Sequence, residues 1–188
     1  ACGYCCSCVI TNSYTTGANN VAVGYHAGTA VTTGLQNTLI GMDTGNALTD
    51  ADFNVAVGTD ALGADTLGSK SVAIGRRALF SQNFTSATDA LNVGIGFEAG
   101  NDLTTGLTNT LIGSICHDNL TEGSLNTALG YNLAPSAVDV DSEIVIGSSI
   151  TGAGTNTVRI GTGGGTATLG LDGSDTSWAA ASDSRLKK

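Results

Sequence analysis

Hydrophobic and polar positions along this chain fall into one short recurring phrase. It runs polar, β-branched, variable, branched aliphatic, Gly. It reads NVAVG ending at Gly24, NTLIG at Gly41, NVAVG at Gly58 and SVAIG at Gly75. It continues as NVGIG at Gly96, NTLIG at Gly113, NTALG at Gly130, EIVIG at Gly147 and TVRIG at Gly161. Two residues of each phrase alternate as one face, as in Val21 and Val23, Thr38 and Ile40, or Val72 and Ile74. A period of two with one strict face predicts a strand, with that face turned inward. The position between them varies: Ala22, Leu39, Ala56, Ala73, Leu111, Ala128, and even Arg159. A small or apolar residue follows three places after the glycine, at Ala27, Ala61, Ala78, Ala99 and Cys116. A second glycine, in Thr-Thr-Gly or a similar turn, precedes most strands: Gly17, Gly34, Gly68, Gly106, Gly123. No stretch carries the period of an amphipathic helix.

The glycine spacings are 21, 17, 17, 17, then 21, 17, 17, 17, then 14, if Ala1-Cys2-Gly3 is taken as the tail of a first copy. A super-repeat of 72 residues therefore overlies the 17-residue repeat. Residues 21–41 and 93–113 share 13 of 21 positions, which points to duplication of a four-coil block. A three-residue strand cannot bury its own face, but coils stacked on one another can. The expected fold is all-β: a parallel β-helix or β-roll solenoid of about ten coils, a rod roughly 45–50 Å long at ~4.8 Å per coil. Asn20, Asn37, Asn54, Asn92, Asn109 and Asn126 would stack as a side-chain ladder, or simply favour the turn before each strand. The 21-residue units would carry four extra residues as a bulged loop. Such a thin coil has a narrow core, and a homotrimer would cover its exposed flank. The variable middle positions are the expected interchain face.

Composition supports this reading. The 188 residues include 27 glycines and a single proline, without a collagen period. Hydrophobic residues make up 41% and charged ones 12%, which does not fit disorder. No apolar run reaches the ~20 residues of a membrane helix, so no membrane insertion is expected. No basic stretch followed by an apolar one opens the chain, so no signal peptide is expected. The net charge of −9 argues against nucleic acid as a partner.

The repeats resemble known families. The Asn-x-Val-Ala-Ile-Gly phrase followed by xxA is similar to the head repeats of trimeric autotransporter adhesins. The longer NTLIGxxAGxxLTTGxxNT form resembles repeats of bacteriophage tail fibres. The resemblance spans Gly3 to about Gly161 and implies a left-handed parallel β-roll assembled as a homotrimer. The 17-residue coil is longer than the compact adhesin-head coil. Further on, Ser182-Asp183-Ser184-Arg185-Leu186-Lys187 resembles the S-D-x-R-x-K opening of the endosialidase-type intramolecular chaperone. That domain trimerises a fibre and then cuts itself off. The resemblance makes Ser182 the nucleophile, Asp183 the residue after it and Lys187 the activating base. A desolvated lysine can activate a hydroxyl in this way. The expected organisation is a shaft or head over 1–161, an extended cap or linker over 162–181, and the start of the chaperone over 182–188. The start at Ala1, inside a repeat, suggests a stretch of a longer fibre.

Other candidate chemistry is sparse. Cys2, Cys5, Cys6, Cys8 and Cys116 read as small buried hydrophobes before disulfides or a zinc site. His26 and His117 read as exposed turn residues. Asp139, Asp141 and Glu143 alternate in an extended segment, a solvated acidic loop or else a weak Ca²⁺ site. Residues 1–181 hold four basic against fifteen acidic side chains, a surface that favours solubility. Trp178 reads as an end plug before a sugar platform. No cofactor is expected, and no enzymatic activity beyond self-cleavage. The expected role is structural and adhesive, on the virion surface. The expected partners are two further copies, other virion tail or baseplate proteins, and a host cell-surface polysaccharide or protein receptor. A bacterial trimeric surface adhesin with the same β-roll is the alternative. A depolymerase would need an identifiable acid pair among sixteen acids, and an ice-binding solenoid would need aligned threonines; neither is visible.

Overall fold

The computed structural model describes residues 9–11, 17–171, 173 and 179–180. These are all-β, with no helix among them. Three-residue strands recur at each repeat: β2 Val21–Val23, β3 Thr38–Ile40, β4 Val55–Val57, β6 Val72–Ile74, β8 Val93–Ile95 and β9 Thr110–Ile112. Longer strands follow in β10 Thr127–Tyr131, β11 Ile144–Ser148 and β12 Thr157–Thr162. These nine pair in parallel, each with the equivalent residue of the next coil, as Val21 with Thr38 and Thr38 with Val55. The result is a parallel β-solenoid of about eight turns. Its ends are closed antiparallel, by β1 Val9–Thr11 on β2, and by β13 Gly165–Gly170 and β14 Ala179–Ala180 beyond β12. Both ends thus leave the parallel stack, which shields its edges.

The coil turns at three corners, and left-handed backbone marks each one. The first is two residues past the strand glycine, at His26, Asp43, Asp60, Arg77, Glu98, Ile115, Asn132 and Ser149, with φ between 50° and 58°. The second is two residues further on, at Gly28, Gly45, Leu62, Leu79, Gly100 and His117. The third immediately precedes the ladder position, at Gln36, Phe53, Lys70, Leu91, Thr108, Leu125 and Ser142. Side chains in this region are strained by sterics. A backbone bond to a neighbouring coil holds most of them. Asp43 N donates to Tyr25 O, Leu62 N to Ala78 O, and Phe53 N to Leu35 O, at 2.8–3.0 Å. The glycine ending each strand, from Gly24 to Gly147, has φ of 131–146°. A Cβ there would also overlap the carbonyl of the glycine in the next coil.

The interior is inverted relative to the sequence expectation. The middle residue of each strand points inward: Ala22, Leu39, Ala56, Ala73, Leu111, Ala128 and Val145 are buried. They are therefore core, not an interchain face. The strict branched positions point outward, with Val21, Ile40, Ile74 and Leu129 all more than a third exposed. The cause is space. The coil is so narrow that the strand middle and the second corner share one volume. Where the strand carries Leu39, Gly45 of the same coil makes room, and Gly100 makes room for Leu111 of the next coil; a Cβ on either would press into that leucine. Where it carries Ala56 or Ala73, the corner supplies Leu62 or Leu79, both fully buried. The positions three past the glycine are buried as expected, at Ala27, Ala61, Ala78, Ala99 and Cys116.

The asparagine ladder forms. Each Oδ1 accepts the backbone N–H one coil on: Asn37 N to Asn20, Asn54 N to Asn37, Ser71 N to Asn54, all at 2.8–2.9 Å. It resumes from Asn92 through Asn109 and Asn126 to Glu143 N. Each Nδ2 donates to a carbonyl of the turn in the next coil, as Asn54 to Gly68 O and Asn109 to Gly123 O. Replacing Asn109 by Ala strands Asn126 N–H and Gly123 C=O in the core, and two buried orphans cost about 2–5 kcal/mol. Urea denaturation of Asn109→Ala should show a loss of that size. An unchanged midpoint would mean that the ladder carries no stability.

Candidate functional site

Ser182, Asp183 and Lys187 lie outside the described residues, as do Cys2, Cys5, Cys6, Cys8 and Trp178. Asp139, Asp141 and Glu143 do not act as one group. Glu143 is fully buried at the end of the ladder, its carboxylate accepting Ser136 N at 3.0 Å and Gly154 N at 2.7 Å. Asp141 is exposed and accepts Ser124 N, and Asp139 is exposed. No set of three metal-ligating side chains converges among the described residues.

The largest coherent feature is the outer sheet face. The eight strand triplets from Val21 to Ile146 contain no charged residue. They stack two columns of Val, Ile, Leu and Thr over roughly 34 Å, seven coil spacings of ~4.8 Å. Large apolar side chains extend the face into the turns on either side of the strand. Tyr25, Met42, Phe97 and Tyr131 follow it, and Leu35, Phe53, Leu91 and Leu125 precede it. Of the fifteen large hydrophobics exposed among the described residues, twelve lie on this face, and Ile160 continues its column on β12. Scattered exposed leucines are ordinary, but a contiguous flat apolar sheet is not.

Cations gather in one coil of the rod. Lys70 precedes β6, and Arg76 and Arg77 follow it. Lys70 pairs with Asp89, and Arg76 Nη1 lies 3.0 Å from Glu98 Oε1. The Arg76 guanidinium sits over Phe97 and that of Arg77 over Phe80. These pairs are exposed and contribute little to stability individually.

Two polar arrangements inside the core went unread in the sequence. The first lies under the 21-residue unit. Four extra residues enter between Asn83, still 17 from its partner Thr66, and Thr88, which donates to Leu67 O. Thr88–Asp89 (β7) pairs in parallel with Gly68–Ser69 (β5), and Phe84 plugs the insertion. Asp65 and Gln82 replace the Val31, Leu48, Leu103 and Leu120 of other coils at this level. Asp65 accepts Gly68 N, Phe84 N and Gln82 Nε2. Gln82 also donates to Ser71 Oγ and accepts from Asn92 Nδ2, so it bridges the break in the ladder. Burial raises the Asp65 carboxyl pKa, while its hydrogen bonds oppose that shift. The signal was available: Asp and Gln stand exactly one repeat apart, where equivalent positions are apolar.

The second is His117, expected exposed but fully buried, with both ring nitrogens unpartnered. It occupies the second corner, where other coils place Gly or Leu. His26, by contrast, is exposed, as expected; its Nδ1 lies 3.2 Å from Asp43 Oδ1. Burial pushes His117 down to about 4, against the pull of Glu143, and pushes the free Cys116 thiol up to about 12. Cys116 thus behaves as the small hydrophobe expected. Comparison with protein-family models, curated proteins and solved structures found no match.

A neutral imidazole in the fold gives stability a pH slope. The unfolded chain binds a proton below its pKa of ~6.5, and the folded chain does so only below about 4. His117 therefore leaves stability unaffected above pH 6.5 and lowers it as pH falls from 6.5 to 4, by about 3 kcal/mol in all. Asp65 slopes the opposite way, so the comparison needs a variant. In His117→Leu, the loss of stability over that window should shrink by about this amount in thermal melts. Parallel pH profiles for the two proteins would disprove the assignment.

Proposed function

We propose that this chain is a stretch of a trimeric, surface-displayed fibre with a structural and adhesive role, and that the fibre is a bacteriophage tail fibre or similar appendage reaching a host-surface receptor. One observation carries the reading. The outer strand face is long, flat, uncharged and apolar, and a lone solenoid would leave it in water. Three identical faces meeting about a threefold axis would bury it, because each coil presents the same residues at the same height. The acidic side chains lie off the eight strand triplets, so three copies can approach without bringing like charges together there. The repeat phrase resembling tail-fibre repeats and the Ser182–Lys187 motif resembling the chaperone opening support the same reading. Partners would then be virion tail or baseplate proteins at one end and a host polysaccharide or protein receptor.

Sedimentation should give a particle of about 56 kDa, three times the 18.7 kDa chain. Ile40→Glu with Ile74→Glu, both on the outer face, should give a folded 18.7 kDa monomer. A wild-type monomer, or a trimer indifferent to this double change, would refute the assembly. In a longer chain carrying the following domain, Ser182→Ala or Lys187→Ala should leave an uncut product. Normal processing in both would remove the chaperone assignment.

A further inference from the structure

Past the last full coil, a groove of about 390 Å³ opens between the final turn and the β12–β13 hairpin. It falls in the ~300–1,000 Å³ range of small-molecule sites. Four hydroxyl-bearing residues line it, Ser149, Thr151, Thr162 and Thr166, together with Arg159. Its floor includes the three consecutive glycines 163–165.

These glycines differ from those of the solenoid. The glycines that end each strand are required by left-handed backbone and by contact with the next coil. None of 163–165 has a positive φ in the left-handed region. A Cβ on Gly165 would meet nothing within 4 Å; on Gly164 the nearest atom would be 3.9 Å away, and on Gly163 3.4 Å. Neither backbone strain nor packing calls for Gly here. What the three residues do is leave a bare, flat strip of backbone beside the hydroxyls.

Arg159 is partly committed. It stands at the inward strand position, with no regular coil beyond to cover it. Nη1 donates to Thr151 O at 2.8 Å and Gly152 O at 3.1 Å, and Nε to Thr168 Oγ1 at 3.2 Å. These bonds close the last turn and fix the plane of the guanidinium. Nη2 has no hydrogen-bond partner among the described residues, which leaves N–H donors for a ligand. No other cation lines the groove.

We infer that this groove binds a sugar bearing a carboxylate, a hexuronate-type unit of an acidic polysaccharide. The hydroxyls match ring hydroxyls, the bare glycine strip admits a flat ring, and the guanidinium takes the carboxylate. A single free Nη2 group suits one carboxylate better than a phosphate, which draws several cations. The inference deepens the fibre reading and rests on it, since it assigns a receptor class to the rod.

The test uses the assembled full chain and trigalacturonate as probe. Calorimetric titration should show binding that weakens at least tenfold for the methyl-esterified trisaccharide. Gly165→Val puts a branched side chain on the lining strip, where a Cβ meets nothing within 4 Å, and should weaken binding by a similar factor, with an unchanged melting temperature. Thr166→Val, which removes one hydroxyl at constant volume, should weaken it several-fold. No binding, equal binding of the ester, equal binding of inorganic phosphate, or indifference to both variants would overturn the site. Sedimentation of the same sample separates this from the fibre reading. A trimer that ignores trigalacturonate sinks the groove alone, whereas a monomer sinks the fibre.

Discussion

Everything in this molecule depends on the backbone hydrogen bond between a residue and its equivalent one coil away. A three-residue strand offers little pairing by itself, and left-handed corners are unfavourable for Asp, Glu, Phe or Arg in an isolated chain. Both become tolerable because neighbouring coils place donors and acceptors at matched positions. Asp43, Asp60 and Arg77 each donate to the coil before, while Gly28, Gly45 and Leu62 donate to the coil after. Each turn is therefore secured from both sides. No coil is a folding unit, and the stack is stable only as a stack.

The ladder extends the same bond into side chains. An asparagine before each strand presents an acceptor to the next coil and a donor to the next turn. It satisfies backbone groups that a narrow, dry interior would otherwise leave unpaired. Where the coil lengthens by four residues, the ladder breaks, and Asp65, Gln82 and Ser71 rebuild its connections with different chemistry. A polar cluster in the core thus marks an irregularity in length. At the far end the ladder finishes on Glu143, whose carboxylate takes two backbone N–H groups as the coil gives way to the hairpin.

The parallel pairing, the coil length and the insertion were legible in the sequence, because each leaves a period that can be counted. The direction of the strand was not. The strict Val and Ile columns looked like core, since strictness usually reports burial. Here the interior is too thin for two branched columns, so the single variable column goes inside, its size traded against the second corner. Leu39 with Gly45, and Ala56 with Leu62, express this as a pair rule that no single column shows. His117 was missed because its column holds Gly, Leu and His, and a lone polar residue beside a turn reads as exposed. Assembly and attachment reside in surfaces that a single chain leaves open, and there the sequence offers resemblance rather than geometry.

The 72-residue super-repeat has a structural meaning beyond ancestry. Because each block ends on a strand in the same register as the one it began on, a whole block can be added or lost without altering any junction. The strand glycines Gly75 and Gly147 mark those seams. Length in such a rod becomes a countable quantity, changed in steps of one block by unequal recombination between the repeated segments. Reach could then evolve faster than shape.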